Sequence, residues 1–343
     1  MKKYLKDDWF MYLLFAVVAL VIVKENATNN NTPKQATVEK KEPDYWVAPG
    51  LFSDNTTTGE QRKMIIYGQE LIANTSKYFG PHGSINPISN GMNCQNCHLD
   101  AGTRPWGNNY GAVASTYPKF RERSGTIESI PKRVNDCFER SLDGKAIDTA
   151  SYEMKSIIAY MQWLGQDVKK GEKPKGSGIT NLVYLDRAAS PLNGQVVYNQ
   201  KCQSCHGVNG EGLENLKGTG YTYPPLWGGH SYNNGAGLFR LSRLAGYVKD
   251  NMPFNQATHQ AAVLTDEEAW DVAAFVNTQS RPAADMKNDW PNIAGKPVDH
   301  PFGPYTDGFS EQQHKYGPFK PIEEKRAEMK KMSQPLAIGK QLK

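Results

Sequence analysis

The sequence has no long hydrophobic run, no block of like charge and few cysteines, and each shortage excludes something. Its longest apolar stretch, Trp9 to Val23, is fifteen residues, short of the roughly 20 that span a bilayer comfortably. The formal net charge is +5, with basic residues dispersed along the chain, too mild a balance to mark a nucleic-acid partner. Focused near one site, the same excess can attract an anionic substrate or an acidic redox partner. At 343 residues the chain has room for two domains of ordinary size, each with its own core, and for extra segments.

The N-terminus places Lys2, Lys3 and Lys6 before the apolar stretch and Lys24-Glu25-Asn26-Ala27 after it. Basic then apolar is the layout of a secretory signal. An A-x-A cleavage site is missing, because Glu25 and Asn26 precede Ala27. Residues 1–24 are therefore expected to be a signal peptide or an uncleaved anchor with the lysines inside and the body exported. The Asn-, Thr- and Lys-rich residues 25–45 read as a flexible tether. The expected location is the periplasm, free or anchored to the inner membrane by this segment.

Four of the five cysteines fall in two copies of one motif, Cys94-Gln95-Asn96-Cys97-His98 and Cys202-Gln203-Ser204-Cys205-His206. C-x-x-C-H is a c-type haem attachment sequence, in which the cysteines form thioethers and the histidine binds iron. A disulfide, half a zinc site or a thioredoxin-like motif are the other readings of C-x-x-C. None of them accounts for a histidine directly after the second cysteine in both copies. Two covalently bound haem c groups are expected, 108 residues apart, one per small domain.

After the second motif come glycine-rich loops from Gly207 to Gly237, then Met252-Pro253, then a helical pattern opening at Leu264 with Thr265 or Asp266 as N-cap. Met252 is the expected partner of His206 on the second iron, since methionine sulfur with histidine nitrogen is an ordinary cytochrome c pairing; His230 and His259 are weaker candidates. The first half repeats this pattern. Glu268 and Phe275 lie 16 and 23 residues after Met252, and Glu153 and Tyr160 lie 16 and 23 after Cys137. Cys137 thus stands in the methionine's place, opposite His98. The alternative for Cys137 is a buried inert thiol. Met154 and Met161, seven apart on one helical face, read as core, and Met92 is too near Cys94 to reach the far side of a ring.

The fold class expected is mainly α, with two tandem class I cytochrome c-type domains and an irregular C-terminal strap. The boundaries are 46–167 for the first domain, with the first haem, 168–185 for a Lys-, Gly- and Pro-rich linker, and 186–280 for the second, with the second haem. Residues 281–343 form the strap and tail, too rich in proline for regular structure up to about Phe319, with a short exposed helix from Glu323.

A thiolate on iron gives a low potential and makes little sense for simple electron transfer. It makes sense for sulfur chemistry, because thiolates exchange with S–S compounds. Lys119, Arg121, Arg123, Lys132, Arg133 and Arg140 lie within about 20 residues of Cys137; as a group they favour an anion site over a solvated basic surface with arginines that pair haem propionates.

The runs Tyr117-Pro118-Lys119-Phe120-Arg121-Glu122-Arg123-Ser124-Gly125 and Arg133-Val134-Asn135-Asp136-Cys137-Phe138-Glu139-Arg140-Ser141 resemble the dihaem thiosulfate dehydrogenases, which share their reaction with tetrathionate reduction. The likeness extends to Asp299-His300-Pro301-Phe302-Gly303-Pro304-Tyr305 in the strap. It implies a catalytic first haem held by His98 and Cys137 and a second haem, held by His206 and Met252, that carries electrons. Two thiosulfates would join to tetrathionate with release of two electrons, or the reverse, with Arg121, Arg123, Ser141 and Arg133 holding substrate. The implied redox partner is a small cytochrome or quinol-linked carrier. Some members have a lysine beside the second methionine; here that neighbour is Asn251. The competing readings are a Sox-type sulfur-oxidising subunit and a non-catalytic dihaem shuttle.

Overall fold

The first half of the chain is organised by α1 (Gly59–Ala73), α2 (Ile130–Arg140) and α3 (Tyr152–Leu164), the second by α4 (Pro191–Lys201), α5 (Leu241–Asn251) and α6 (Asp266–Thr278). These elements belong to a computed structural model that describes residues 43–50 and 59–333. Hydroxyl N-caps start several of them. Ser129 caps α2, Ser151 α3 and Ser190 α4, and Thr265 forms a reciprocal capping box with Glu268 on α6. Each cap satisfies an amide that the first helical turn leaves without a partner.

In each half the entering helix crosses the closing helix at a glycine. A Cβ on Gly68 of α1 would lie 2.0 Å from the Ser156 carbonyl oxygen and 2.8 Å from Tyr160 Cβ; one on Gly194 of α4 would lie 1.9 Å from the Asp271 oxygen and 2.9 Å from Phe275 Cβ. Tyr160 and Phe275 are the aromatics the repeat pairs 23 residues after Cys137 and Met252. Ser156 and Asp271 also match, nineteen residues after the same two positions. The repeat in sequence is therefore a repeat of backbone contact.

The first core gathers Trp46, Leu71, Ile72, Phe79, Phe138, Met154, Tyr160 and Leu164 around this crossing, with Met161 beside them. The second gathers Tyr198, Leu241, Trp270, Phe319 and Ile322. Burying each such large side chain contributes about 2 kcal/mol. Strands among the described residues are confined to two short antiparallel hairpins, β1 (Lys119–Arg121) with β2 (Thr126–Glu128) and β3 (Leu213–Glu214) with β4 (Tyr221–Tyr223). The architecture is mainly α, as expected.

Residues 168–179 of the linker run along the first domain, and Leu182, Tyr184 and Leu185 then pack on the core of the second. The carbonyls of Lys175, Gly176 and Gly178 accept from the amides of Trp46, Trp106 and Asn108, and Ile179 is buried against Leu99 and Tyr247.

The strap is more regular than its prolines suggest. It holds α7 (Glu311–Tyr316) and α8 (Lys320–Ser333), so the final helix opens three residues before Glu323, and Ile322 in its first turn is wholly buried. The prolines sit where they break nothing. Pro318 lies between the helices, and Pro321 lies in the first turn of α8, where the missing N–H has no intrahelical acceptor. His314 on α7 is fully buried, with Nδ1 2.7 Å from the Val298 carbonyl, Nε2 3.0 Å from Asp307 and its ring stacked on Tyr305. The signal or anchor segment 1–24 and the tether up to residue 42 lie outside the described residues. Among the described residues no helix is long and apolar enough to cross a membrane.

Candidate active site

One face of α2 looks into a cavity of about 400 Å³. Ile130, Arg133, Val134, Cys137 and Ser141 line it, at the spacing of three and four residues that marks one side of a helix. The helix is held in place by paired hydrogen bonds between the Asn135 amide and the backbone of Ile147, at 3.0 and 3.1 Å, and by Phe138 packing edge-on to Phe79. The β1 strand supplies Lys119 and Arg121 to the same wall, while Phe120 between them points outward and is 56 % exposed, as strand alternation requires.

Cys94, Cys97 and His98 line the same cavity as Cys137. His98 Nδ1 meets the Asn108 carbonyl at 2.5 Å. A carbonyl only accepts, so Nδ1 carries the proton and Nε2 keeps its lone pair free. Burial pushes His98 down to about 4, which keeps the ring neutral. Tyr110 stacks on the imidazole at 4.5 Å. Its ring fits only because residue 102 is glycine, at φ +81°, where a Cβ would stand 2.1 Å from the tyrosine.

The second motif repeats the arrangement. His206 Nδ1 lies 2.9 Å from the Pro224 carbonyl, again leaving Nε2 free, and Tyr198 donates to the Gly207 carbonyl at 2.6 Å. Both sets therefore fit a haem c: two thiols, a neutral imidazole oriented through its second nitrogen, and in the first domain a cavity with much apolar wall.

Met252 follows α5 directly and is partly buried beside Leu99, Ile179 and Tyr247. The end of α5 docks on the first domain. Tyr247 donates to the Asn96 carbonyl, inside the first attachment motif, at 2.9 Å, and buried Asn251 donates to the Trp106 carbonyl at 3.1 Å. His259 stacks on Trp106 at 3.9 Å and meets Asp250 at 3.2 Å, while His230 is exposed.

Of the basic residues near Cys137, Lys119, Arg121, Arg123 and Arg133 line the cavity, together with Ser141. Lys132 instead pairs with Asp136 and Arg140 with Asp289. Cys137 beside Arg133 holds that guanidinium above its ordinary value. Burial, reinforced by Arg140, pushes Arg123 down to about 10. Part of the wall was not expected from the sequence. The second domain contributes Tyr232, Arg240 and Arg243, and the strap contributes Trp290. The strap is fixed there by Asp289, which accepts two 2.8 Å hydrogen bonds from Arg140 and lies 3.9 Å from Arg123. Removing the carboxylate leaves two largely covered arginines without their shared counter-charge. Asp289→Ala is expected to cost about 3 kcal/mol in chemical unfolding, and less in an Arg140→Met background.

Residues 86–169 match the family model described as SoxA/TsdA, cytochrome c domain, and residues 192–280 match that described as Cytochrome c. The chain is 38 % identical over 228 residues to the thiosulfate dehydrogenase of Allochromatium vinosum, covering 65 % of this chain and 80 % of that protein. The chain belongs to the thiosulfate dehydrogenase family. It is also 40 % identical over 210 residues to the thiosulfate dehydrogenase of Psychrobacter arcticus, a match covering 60 % of this chain and 62 % of that protein, less than two thirds of its length. Among solved structures, the thiosulfate dehydrogenase (TsdBA) of Marichromatium purpuratum aligns with a TM-score of 0.64 at 27 % identity, over 80 % of this chain and 54 % of that one. As a member of this dihaem family with two cytochrome c domains, the chain carries two covalently bound haem c groups.

Proposed function

We propose that the protein interconverts thiosulfate and tetrathionate, with Cys137 as the reacting group. The observation that carries this reading is the convergence of Cys137, His98 and six cationic side chains on one cavity that no carboxylate lines among the described residues. The haem groups would be attached through Cys94 and Cys97, and through Cys202 and Cys205, with His98 and Cys137 on the first iron and His206 and Met252 on the second. When bound, they take up and pass on single electrons.

In the reducing direction the Cys137 thiolate attacks an inner sulfur of tetrathionate, the central S–S bond breaks, and one thiosulfate leaves. The cysteine Sγ then carries an S–SO3 group. Two electrons break the bond to Cys137 and release the second thiosulfate, restoring the thiolate; oxidation runs the same steps backwards. Arg133 beside Cys137 holds the sulfonate nearest the sulfur, with Ser141 one turn further along the helix donating a hydrogen bond. Arg121 and Arg123 neutralise the remaining charge.

The deciding experiment is steady-state turnover of the purified dihaem protein, thiosulfate with ferricyanide and tetrathionate with a reduced viologen. Turnover by the protein alone supports the proposal, and the ratio of the two rates suggests the working direction. Silence in both with both haem groups loaded would favour a shuttle or a Sox-type subunit that needs its partner.

The pH profile should carry the mark of Lys119. Burial, with Arg121 and Lys173 adding repulsion, pushes its amine down to about 8. A lysine with a lowered value is charged below it and neutral above. KM for thiosulfate is therefore expected to be flat below pH 7 and to climb through pH 8 to 9, and Lys119→Arg should remove the climb.

A further inference from the structure

Resting on the sulfur-anion reading above, we propose that the second domain completes the substrate site: Arg243, supported by Arg240, binds the sulfonate end of tetrathionate that points away from Cys137. Six cationic side chains line the cavity, four from the first domain and these two from the start of α5. Three of the six are answered by carboxylates behind the wall. Arg121 Nε lies 3.8 Å from Glu128, Arg123 lies 3.9 Å from Asp289, and Arg240 is clamped by the buried Asp299 at 2.5 and 2.8 Å. Asp299 is itself fixed by the amide and hydroxyl of Ser242. Lys119, Arg133 and Arg243 form no ion pair among the described residues.

Arg133 is accounted for by the Cys137 thiolate. Arg243 is not. Its guanidinium donates to the side-chain oxygen of Asn181 at 3.1 Å, a neutral acceptor that orients the group without cancelling its charge. Its cationic neighbours are Arg240 just before α5 and Arg121 from the β1 strand of the first domain; burial and these two push its value down, against the pull of Asp299 behind Arg240. Arg123 thus neighbours both Arg133 and Arg121, and Arg121 neighbours Arg243, so the cations connect the surroundings of Cys137 with the second domain. Tetrathionate has a matching form, a four-sulfur chain with a sulfonate at each end. One end reaches Arg133 when an inner sulfur meets Cys137; the other needs a second cation further out. A guanidinium held by Asn181 offers a sulfonate paired N–H donors. The anion would then bridge the two haem domains.

The test is calorimetric titration of tetrathionate into the oxidised dihaem protein, without reductant, for the wild type, Arg243→Gln, Arg243→Lys and Asn181→Asp. Asn181 is exposed, so the last variant neutralises Arg243 by placing a carboxylate against it without disturbing a core. Arg243→Gln is expected to weaken tetrathionate binding about tenfold or more, Asn181→Asp about threefold to tenfold, and Arg243→Lys less than threefold. Haem absorption and midpoint potentials should not change in any of them. Unchanged affinity in both Arg243→Gln and Asn181→Asp overturns the proposal. So does a shifted first-haem potential with unchanged affinity, which would mean that Arg243 holds a haem carboxylate. Failure of the wild type to bind tetrathionate removes the parent reading as well.

Discussion

Cys137→Ala is expected to lower thiosulfate and tetrathionate turnover by about a thousandfold or more, the usual consequence of deleting a nucleophile. The loss should come without unfolding, because α2 is held by the Asn135 hydrogen bonds to Ile147 and by Phe138 against Phe79, neither of which involves Cys137. Cys137→Met is the sharper variant. It gives the first domain the side chain that the second domain has at the matching position, and methionine sulfur raises the haem potential where thiolate lowers it. The midpoint potential of the first haem should rise by roughly 0.1 V or more, with turnover still lost. A variant that moved the potential but kept full turnover would show that the thiolate serves only as a ligand. An unchanged potential and full activity would return Cys137 to an inert thiol.

How much of this could be read without a structure depends on the range of each contact. The attachment motifs are local: five consecutive residues carry the whole signal. The match between Cys137 and Met252 was readable because the connection from each to its closing helix is of nearly equal length, and the positions 16 and 23 residues on, seven apart on that helix, stay in phase in both halves. The crossing glycines were harder. Gly68 lies 26 residues before Cys94 and Gly194 only 8 before Cys202, so nothing in the spacing of the entering helices marks them as equivalents. Their likeness shows only in the carbonyls they touch. The far wall of the cavity was hidden for the same reason. Arg240 and Arg243 sit more than 100 residues after Cys137, one just before α5 in extended backbone and the other in its first turn. Two basic residues three apart at the start of a helix are a common surface pattern. Trp290 lay in a stretch set aside for its prolines, yet its amide bonds to the Arg123 carbonyl at 2.7 Å and its ring closes the cavity. Lys132 and Arg140 erred in the opposite sense. They are close to Cys137 in sequence but project from α2 in other directions, toward Asp136 and Asp289.

The second large effect is expected at those glycines. Gly68→Ala and Gly194→Ala should each cost about 3 kcal/mol or more in chemical unfolding. Alanine ordinarily favours a helix over glycine by up to about 1 kcal/mol, so a surface view predicts the opposite sign. Here the new methyl would stand 2.0 and 1.9 Å from a backbone carbonyl oxygen of the facing helix. Backbone cannot rotate aside as a side chain can, so the two helices must part, and overpacking of this kind costs about 1–3 kcal/mol before the lost core contacts are counted. Gly229→Ala is the control, since nothing lies within 4 Å of its Cβ position, and its effect should stay within about 0.5 kcal/mol. The two variants should also separate the domains functionally. Parting α1 from α3 displaces Ile72, Ile157 and Met161, which line the cavity with Cys137, so Gly68→Ala should lower first-haem loading and turnover while the second haem keeps its spectrum. Gly194→Ala should do the reverse. Equal loss of both haem groups in each variant would mean that the domains fold as one cooperative unit, joined by the contacts from Tyr247, Asn251 and Asp289 that cross between them.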